Sequence, residues 1–157
     1  MALLGVVMAT LANPYPGHSA SAEDVFLLAE EYRRAAKVLL GLGRTGEPLS
    51  RAPYRLTAIH AIELYLNALL LIEGLDAPRV RGLQHDLAAR AKLALQSGLA
   101  LRSRTAAHLE AMAKGREYLV SRYGTDQAST LSQINRLQAT LEEIGDKVGK
   151  KLKRNTG

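Results

Sequence analysis

An all-α fold is expected: an up-and-down bundle of four to five antiparallel helices. Three features of the 157-residue sequence predict it. Apolar residues recur at helical steps of three and four over most of the chain, and no stretch alternates as a strand does. Gly- and Pro-containing breaks separate those stretches, and short connections place successive helices side by side. The core-forming residues are Leu, Ala, Ile and Val, since the chain has six Tyr, one Phe and no Trp. With no Cys, disulfides and thiolate metal sites are excluded.

The elements follow in order. Ser21-Ala22-Glu23-Asp24 opens a helix, with a polar cap and acids in the first turn. Val25, Leu28, Ala29, Tyr32, Ala36, Leu39 and Leu40 line it, and it stops near Gly41. The next loop contains G-x-G-x-x-G at Gly41, Gly43 and Gly46. A dinucleotide fingerprint needs a strand before it and a helix directly after it; here a helix precedes and prolines follow, so it is an interhelix loop. The second helix, about 54–73, is apolar nearly all round, which marks a central helix. Its exceptions, His60, Glu63 and Asn67, lie within about 60° of one another and form a narrow polar stripe. That stripe is either a set of paired polar groups or the wall of a site.

Residues 75–82 read as loop. A third helix runs from about Gln84 to Gln96, with Leu87, Ala91, Ala94 and Leu95 on one side. A fourth covers about 103–123 and a fifth about 127–153, the latter with one apolar stripe from Leu131 to Leu152.

On the fourth helix, Arg102 and His108 stand about 120° apart, so they converge as a catalytic pair only if Arg102 precedes the helix or another chain closes the site. Arg104 and His108 share a face that reads as solvated. Arg116 falls within about 60° of Leu109, Met112, Leu119, Val120 and Tyr123, in the middle of the apolar stripe. A guanidinium there needs a partner, and Glu63 across the bundle is the expected one, as a specificity-setting ion pair or as part of a phosphate clamp.

The net charge of +6 is uneven. Residues 147–157 hold five cations and no acid, and the remainder carries 16 cations against 15 anions. A basic helix end suits the helix dipole and also suits phosphate or an acidic partner. The expected organisation is a leader over 1–21, a bundle over 22–153 and a basic end over 154–157. The leader has an apolar run, Ala2 to Ala12, but no basic segment before it, and it is too short to span a bilayer; Met8 is an alternative start.

"AIELYLNALLLIEG", then "LQHDL", then "YLVSRYG" before a long final helix resemble the HEPN domain over about residues 22–150. The matching positions are Glu63, His85-Asp86-Leu87 and Arg122-Tyr123. The resemblance implies a helical homodimer and a toxin–antitoxin or defence setting; a cytoplasmic location is also expected. Many members of that family are metal-independent ribonucleases with Arg, four to six residues, then His; others bind without catalysis beside a nucleotidyltransferase-like partner. Tyr123 stands seven residues beyond Arg116 where the catalytic pattern has His, and Asn67 stands where a Lys often follows the acid. A binding module for RNA, a nucleotide or a partner is therefore expected, using Arg116, Glu63, His60, Asn67, Tyr123 and Arg122. The alternatives are a ribonuclease using Arg102 or Arg104 with His108, and a structural bundle whose basic end docks on an acidic protein. No cofactor, metal or membrane is expected: His60, His85 and His108 lie on three helices without ligand spacing.

Overall fold

The computed structural model describes residues 13–156, so the expectations for residues 1–12 lie outside the described residues. The fold is an all-α helical bundle. Its elements are α1 (Ala22–Leu40), α2 (Ala52–Ile72), α3 (Ala77–Gly82), α4 (Leu87–Gln96), α5 (Ser103–Lys114), α6 (Glu117–Tyr123) and α7 (Ile134–Thr156), with 3-10 turns at Pro48–Arg51 and Thr125–Thr130. Among the described residues there is no strand; an isolated bridge joins Arg44 and Glu47.

The α1 start follows from its cap. Ser21 Oγ accepts from the Asp24 amide at 3.0 Å, and the Asp24 carboxylate accepts from the Ser21 amide at 2.9 Å, a reciprocal capping box. In the loop after α1, backbone geometry calls for glycine at Gly46 and a close side chain accompanies Gly43. Gly46 has φ 76°, and a side chain at Gly43 would collide with the guanidinium of Arg51.

α2 is the axis of the bundle. It packs chiefly on α1 and α7 and also meets α3, α4 and α6. Ala58, Ala61, Ile62, Tyr65, Leu66, Ala68 and Leu69 are fully buried or nearly so. Pro48–Ile72 is long and apolar enough to cross a membrane by length and composition, and most of that stretch is covered by the neighbouring helices. Leu109 and Met112 of α5 and Leu137, Ile144 and Val148 of α7 complete the core. The approach of α7 is close at Gly145, where an added side chain would meet the Tyr65 ring and Arg33.

Four expectations need correction. The stretch read as loop contains α3, begun by Asp76, whose Oδ1 accepts from the Arg79 amide at 2.9 Å, with Pro78 in the first turn. Part of the expected leader packs on the bundle: Tyr15–His18 form a turn, with the His18 amide donating to the Tyr15 carbonyl at 2.9 Å, and line a cleft. The final helix starts at Ile134 rather than 127 and runs through the basic end to Thr156.

The fourth correction concerns Arg116. The helix expected over 103–123 is two helices. α5 ends at the C-cap Gly115, and Arg116 takes the left-handed conformation (φ 53°, ψ 41°) before α6 begins. A helical wheel drawn through that break has the wrong phase. Arg116 is exposed, forms no ion pair among the described residues, and does not meet Glu63. A Cβ in the left-handed region costs about 1–2 kcal/mol. Arg116→Gly is thus expected to raise stability by up to about 1 kcal/mol after the greater freedom of glycine in the unfolded chain is counted, and Arg116→Ala to change it by less than about 0.5 kcal/mol. Urea melts of the two variants check this; a large loss in either would mean the guanidinium is structurally paired.

Candidate functional site

Glu63 has a different guanidinium. Arg90 of α4 is 2% exposed and brings Nη2 to 3.3 Å from Glu63 Oε1. Its Nε donates to Asn67 Oδ1 at 2.7 Å, and its Nη1 donates to the Asp86 carbonyl at 3.3 Å. All three nitrogens of the guanidinium are therefore engaged. Two imidazoles approach the same carboxylate: His85 Nδ1 lies 3.2 Å from Oε1 and His60 Nδ1 lies 3.7 Å from Oε2. Burial works to raise the pKa of the Glu63 carboxyl, but the contact from His60 and the charges of Arg90 and His85 outweigh it and hold it below the ordinary carboxylate value.

Local sequence builds this cluster. Glu63 and Asn67 are one turn apart on α2, so both reach the same partner. Asp86 caps α4, its Oδ1 accepting from the Ala89 amide at 2.9 Å, which fixes where Arg90 falls one turn later. Gln84 adopts φ 51°, and the reversal there directs His85 back towards α2. The His85 ring stacks on Tyr118 with centroids 4.8 Å apart, and His60 meets the edge of Tyr32 at 4.5 Å.

The cluster lies in a cleft of about 1000 Å³. Val25 and Leu28 of α1, Leu64 and Leu71 of α2 and Val80 of α3 supply apolar walls; His60, Glu63, Asn67, His85 and Arg90 supply the polar floor. The rim comes from Tyr15–His18, Asp24 and Arg81, and the Arg81 guanidinium sits 4.4 Å from the centre of the Tyr15 ring. A cleft with apolar walls and a few converging polar groups is the usual form of a small-molecule site.

The structure brings together His60, Glu63 and Asn67 of the sequence-predicted residues and separates the others. Arg122 and Tyr123 are exposed, with the guanidinium 5.4 Å from the ring centre, and border a different, smaller cavity. Arg102 and His108 do not form a pair. Arg102 caps α5 with an exposed side chain, and its backbone amide donates to Glu143 Oε2 at 2.9 Å. His108 is 5% exposed, not on a solvated face; its Nδ1 shares a hydrogen bond with Thr140 Oγ1 of α7 at 2.7 Å. Burial pushes its pKa below the ordinary 6.5, Glu117 acts against that, and Arg136 and Arg55 add to it.

The basic C-terminal end is partly used inside the molecule. Lys147 Nζ donates to the Ala100 carbonyl at 2.6 Å and reaches Glu143 at 2.8 Å; Lys151 Nζ donates to the Ser97 carbonyl at 3.0 Å and pairs with Glu73 at 2.9 Å. Both lysines thus hold the chain on either side of the turn between α4 and α5.

Arg90, Arg81 and Tyr15 were missed as site residues. Arg90 carried a readable signal, since it interrupts the stripe of Leu87, Ala91 and Ala94 on α4. Arg81 and Tyr15 carried none, because their place depends on a turn and a one-and-a-half-turn helix at the cleft mouth.

Two outcomes follow. Arg90→Ala strands the Glu63 carboxylate and is expected to cost about 3–5 kcal/mol, whereas the double change Glu63→Gln with Arg90→Met regains much of that; urea unfolding separates them. His108 stays neutral in the fold while the unfolded chain takes up a proton near pH 6.5. Stability should therefore fall as pH drops below that value, until the lowered folded pKa is reached. His108→Gln should flatten the fall between about pH 7 and 5; an unchanged pH profile of the melting midpoint would assign it to other groups. Compared with family models, curated proteins and solved structures, the chain matches none of them.

Proposed function

We propose that this protein is an HEPN-like, non-catalytic binding module of a toxin–antitoxin or defence type system, and that its cleft takes a nucleotide, free or at the end of an RNA strand. One observation supports this above the rest: apolar walls converge on a polar floor whose central carboxylate is already neutralised by Arg90. Val25, Leu28, Leu64 and Val80 offer apolar surface for a base, and His60 and His85 offer hydrogen-bonding groups in the same cleft. Tyr15 is 61% exposed at the rim with Arg81 over it, a stacking surface beside a cation suited to phosphate.

Binding is favoured over cleavage by what holds the titratable groups. Glu63 is kept ionised by three cationic or imidazole neighbours, which makes it a weak proton acceptor. His108, the imidazole of the ribonuclease alternative, is enclosed by the core and bonded to Thr140. The acidic-partner alternative loses two of its five cations, Lys147 and Lys151, to contacts within the chain. The family reading also includes a second copy as partner. Leu27 and Val38 of α1 and Leu42 after it are 55%, 74% and 58% exposed, apolar surface for a second copy to cover.

Calorimetric titration with 5′-mononucleotides and a short single-stranded RNA tests the reading. The expected result is saturable binding of at least one, weakened about tenfold in Tyr15→Ala and in Arg81→Ala, with the RNA left intact. Sedimentation of the same samples should give twice the chain mass. No binding, or equal affinity in both variants, would overturn the site; RNA cleavage lost in His108→Ala would restore the ribonuclease alternative.

A further inference from the structure

A second region has more buried nitrogen than partners for it. Among the described residues, three buried side-chain polar atoms lack any hydrogen-bond partner: Arg55 Nη1, His108 Nε2 and Arg136 Nε. They belong to one neighbourhood, where the first turn of α2, the middle of α5 and the start of α7 meet near Glu117. His108 lies in the field of Glu117, Arg136 and Arg55, and Arg55 in that of Glu117 and Arg51. Glu117 is 6% exposed and already occupied: its two oxygens accept from the Ser132 amide at 2.7 Å and the Ser132 hydroxyl at 2.9 Å. Neither Arg55 nor Arg136 has a carboxylate within ion-pair distance among the described residues. Arg55 is thus a buried guanidinium, and the acid acting on it, Glu117, is already bonded to Ser132.

Arg55 is 93% buried (7% exposed) and borders a cavity of about 100 Å³. None of the residues lining that cavity is acidic. Leu49, Ala52, Val120 and Leu131 are among its apolar lining residues, and Arg122 and Thr125 among its polar ones. The Ser121 hydroxyl also borders it but is turned to the Tyr118 carbonyl at 3.2 Å. The space is large enough for several waters or one small oxyanion. A guanidinium presents parallel N–H groups that match the oxygens of phosphate or carboxylate, and an apolar surround strengthens that contact.

We infer that this cavity is a binding site for a small oxyanion, a phosphate or a carboxylate, held by Arg55 with Arg122 and separate from the cleft at Glu63. The anion pairs with Arg55, which the chain itself leaves without a carboxylate at ion-pair distance among the described residues. The site needs no step of chemistry; its role is recognition.

The test uses the full chain in chloride, phosphate and acetate at matched ionic strength, read by the thermal midpoint and by amide shifts of Ser121 and Thr125 in NMR. Phosphate is expected to raise the midpoint in a concentration-dependent way beyond chloride. An equal rise with acetate also supports the site and marks a carboxylate as its occupant. Arg55→Met should lose the rise and the shifts, while its midpoint in chloride stays at or above that of the parent, because an uncompensated buried cation has been removed. Arg122→Gln, on the surface and neutral to folding, should weaken the apparent affinity about tenfold. Mononucleotide binding at the Tyr15 cleft should be unchanged in both, which keeps the two sites distinguishable. Equal midpoints in chloride, phosphate and acetate for the parent, or a phosphate-specific rise that survives Arg55→Met, would overturn the proposal.

Discussion

A carboxylate on the most buried helix of the molecule is the constraint on which the rest depends. α2 is enclosed by α1, α3, α4, α6 and α7, so Glu63 has little access to water and needs protein groups to stay charged. Arg90 meets that need and in turn requires Asn67 and the Asp86 carbonyl. The Asp86 cap fixes the register of α4, and the reversal at Gln84 follows from bringing His85 to the same oxygen. One buried charge thereby determines the position of a helix, the direction of a loop and the floor of the cleft.

Much of the fold was legible in the sequence. The capping box at Ser21 and Asp24 was visible as a cap followed by acids, and α1 and α2 lie within two residues of their expected limits. The apolar surround of α2 identified it as the centre. Errors arose where a periodic pattern was carried across a break. Lys114-Gly115 is an ordinary helix ending, with a cation in the last turn and glycine after it, and only a helix continuous through it would give Arg116 a core position. A guanidinium inside an apolar stripe does have an acid opposite it on α4, where Arg90 sits between Leu87 and Ala94 and meets Glu63.

The site was legible only on α2. His60, Glu63 and Asn67 share a face because helical geometry dictates it, and no tertiary knowledge was needed. The remaining lining comes from distant segments whose meeting depends on loop conformation: a turn at Tyr15–His18, the short α3, and a left-handed residue at Gln84. Pairwise spacing cannot encode such a meeting. The same limit explains Arg102 and His108. Their sequence separation matched a catalytic pattern, but one became a helix cap and the other a core residue, because α7 supplies both Glu143 and Thr140 to that face of α5.

Glu143 has a consequence for how the chain is made. It receives the Arg102 amide and the Thr105 hydroxyl, so the beginning of α5 is finished by a group forty-one residues downstream. During synthesis those donors emerge from the ribosome well before their acceptor and must remain hydrated. The nascent chain therefore cannot complete the start of α5 until the part of α7 that carries Glu143 has also emerged, and this half of the molecule matures only after both helices are available.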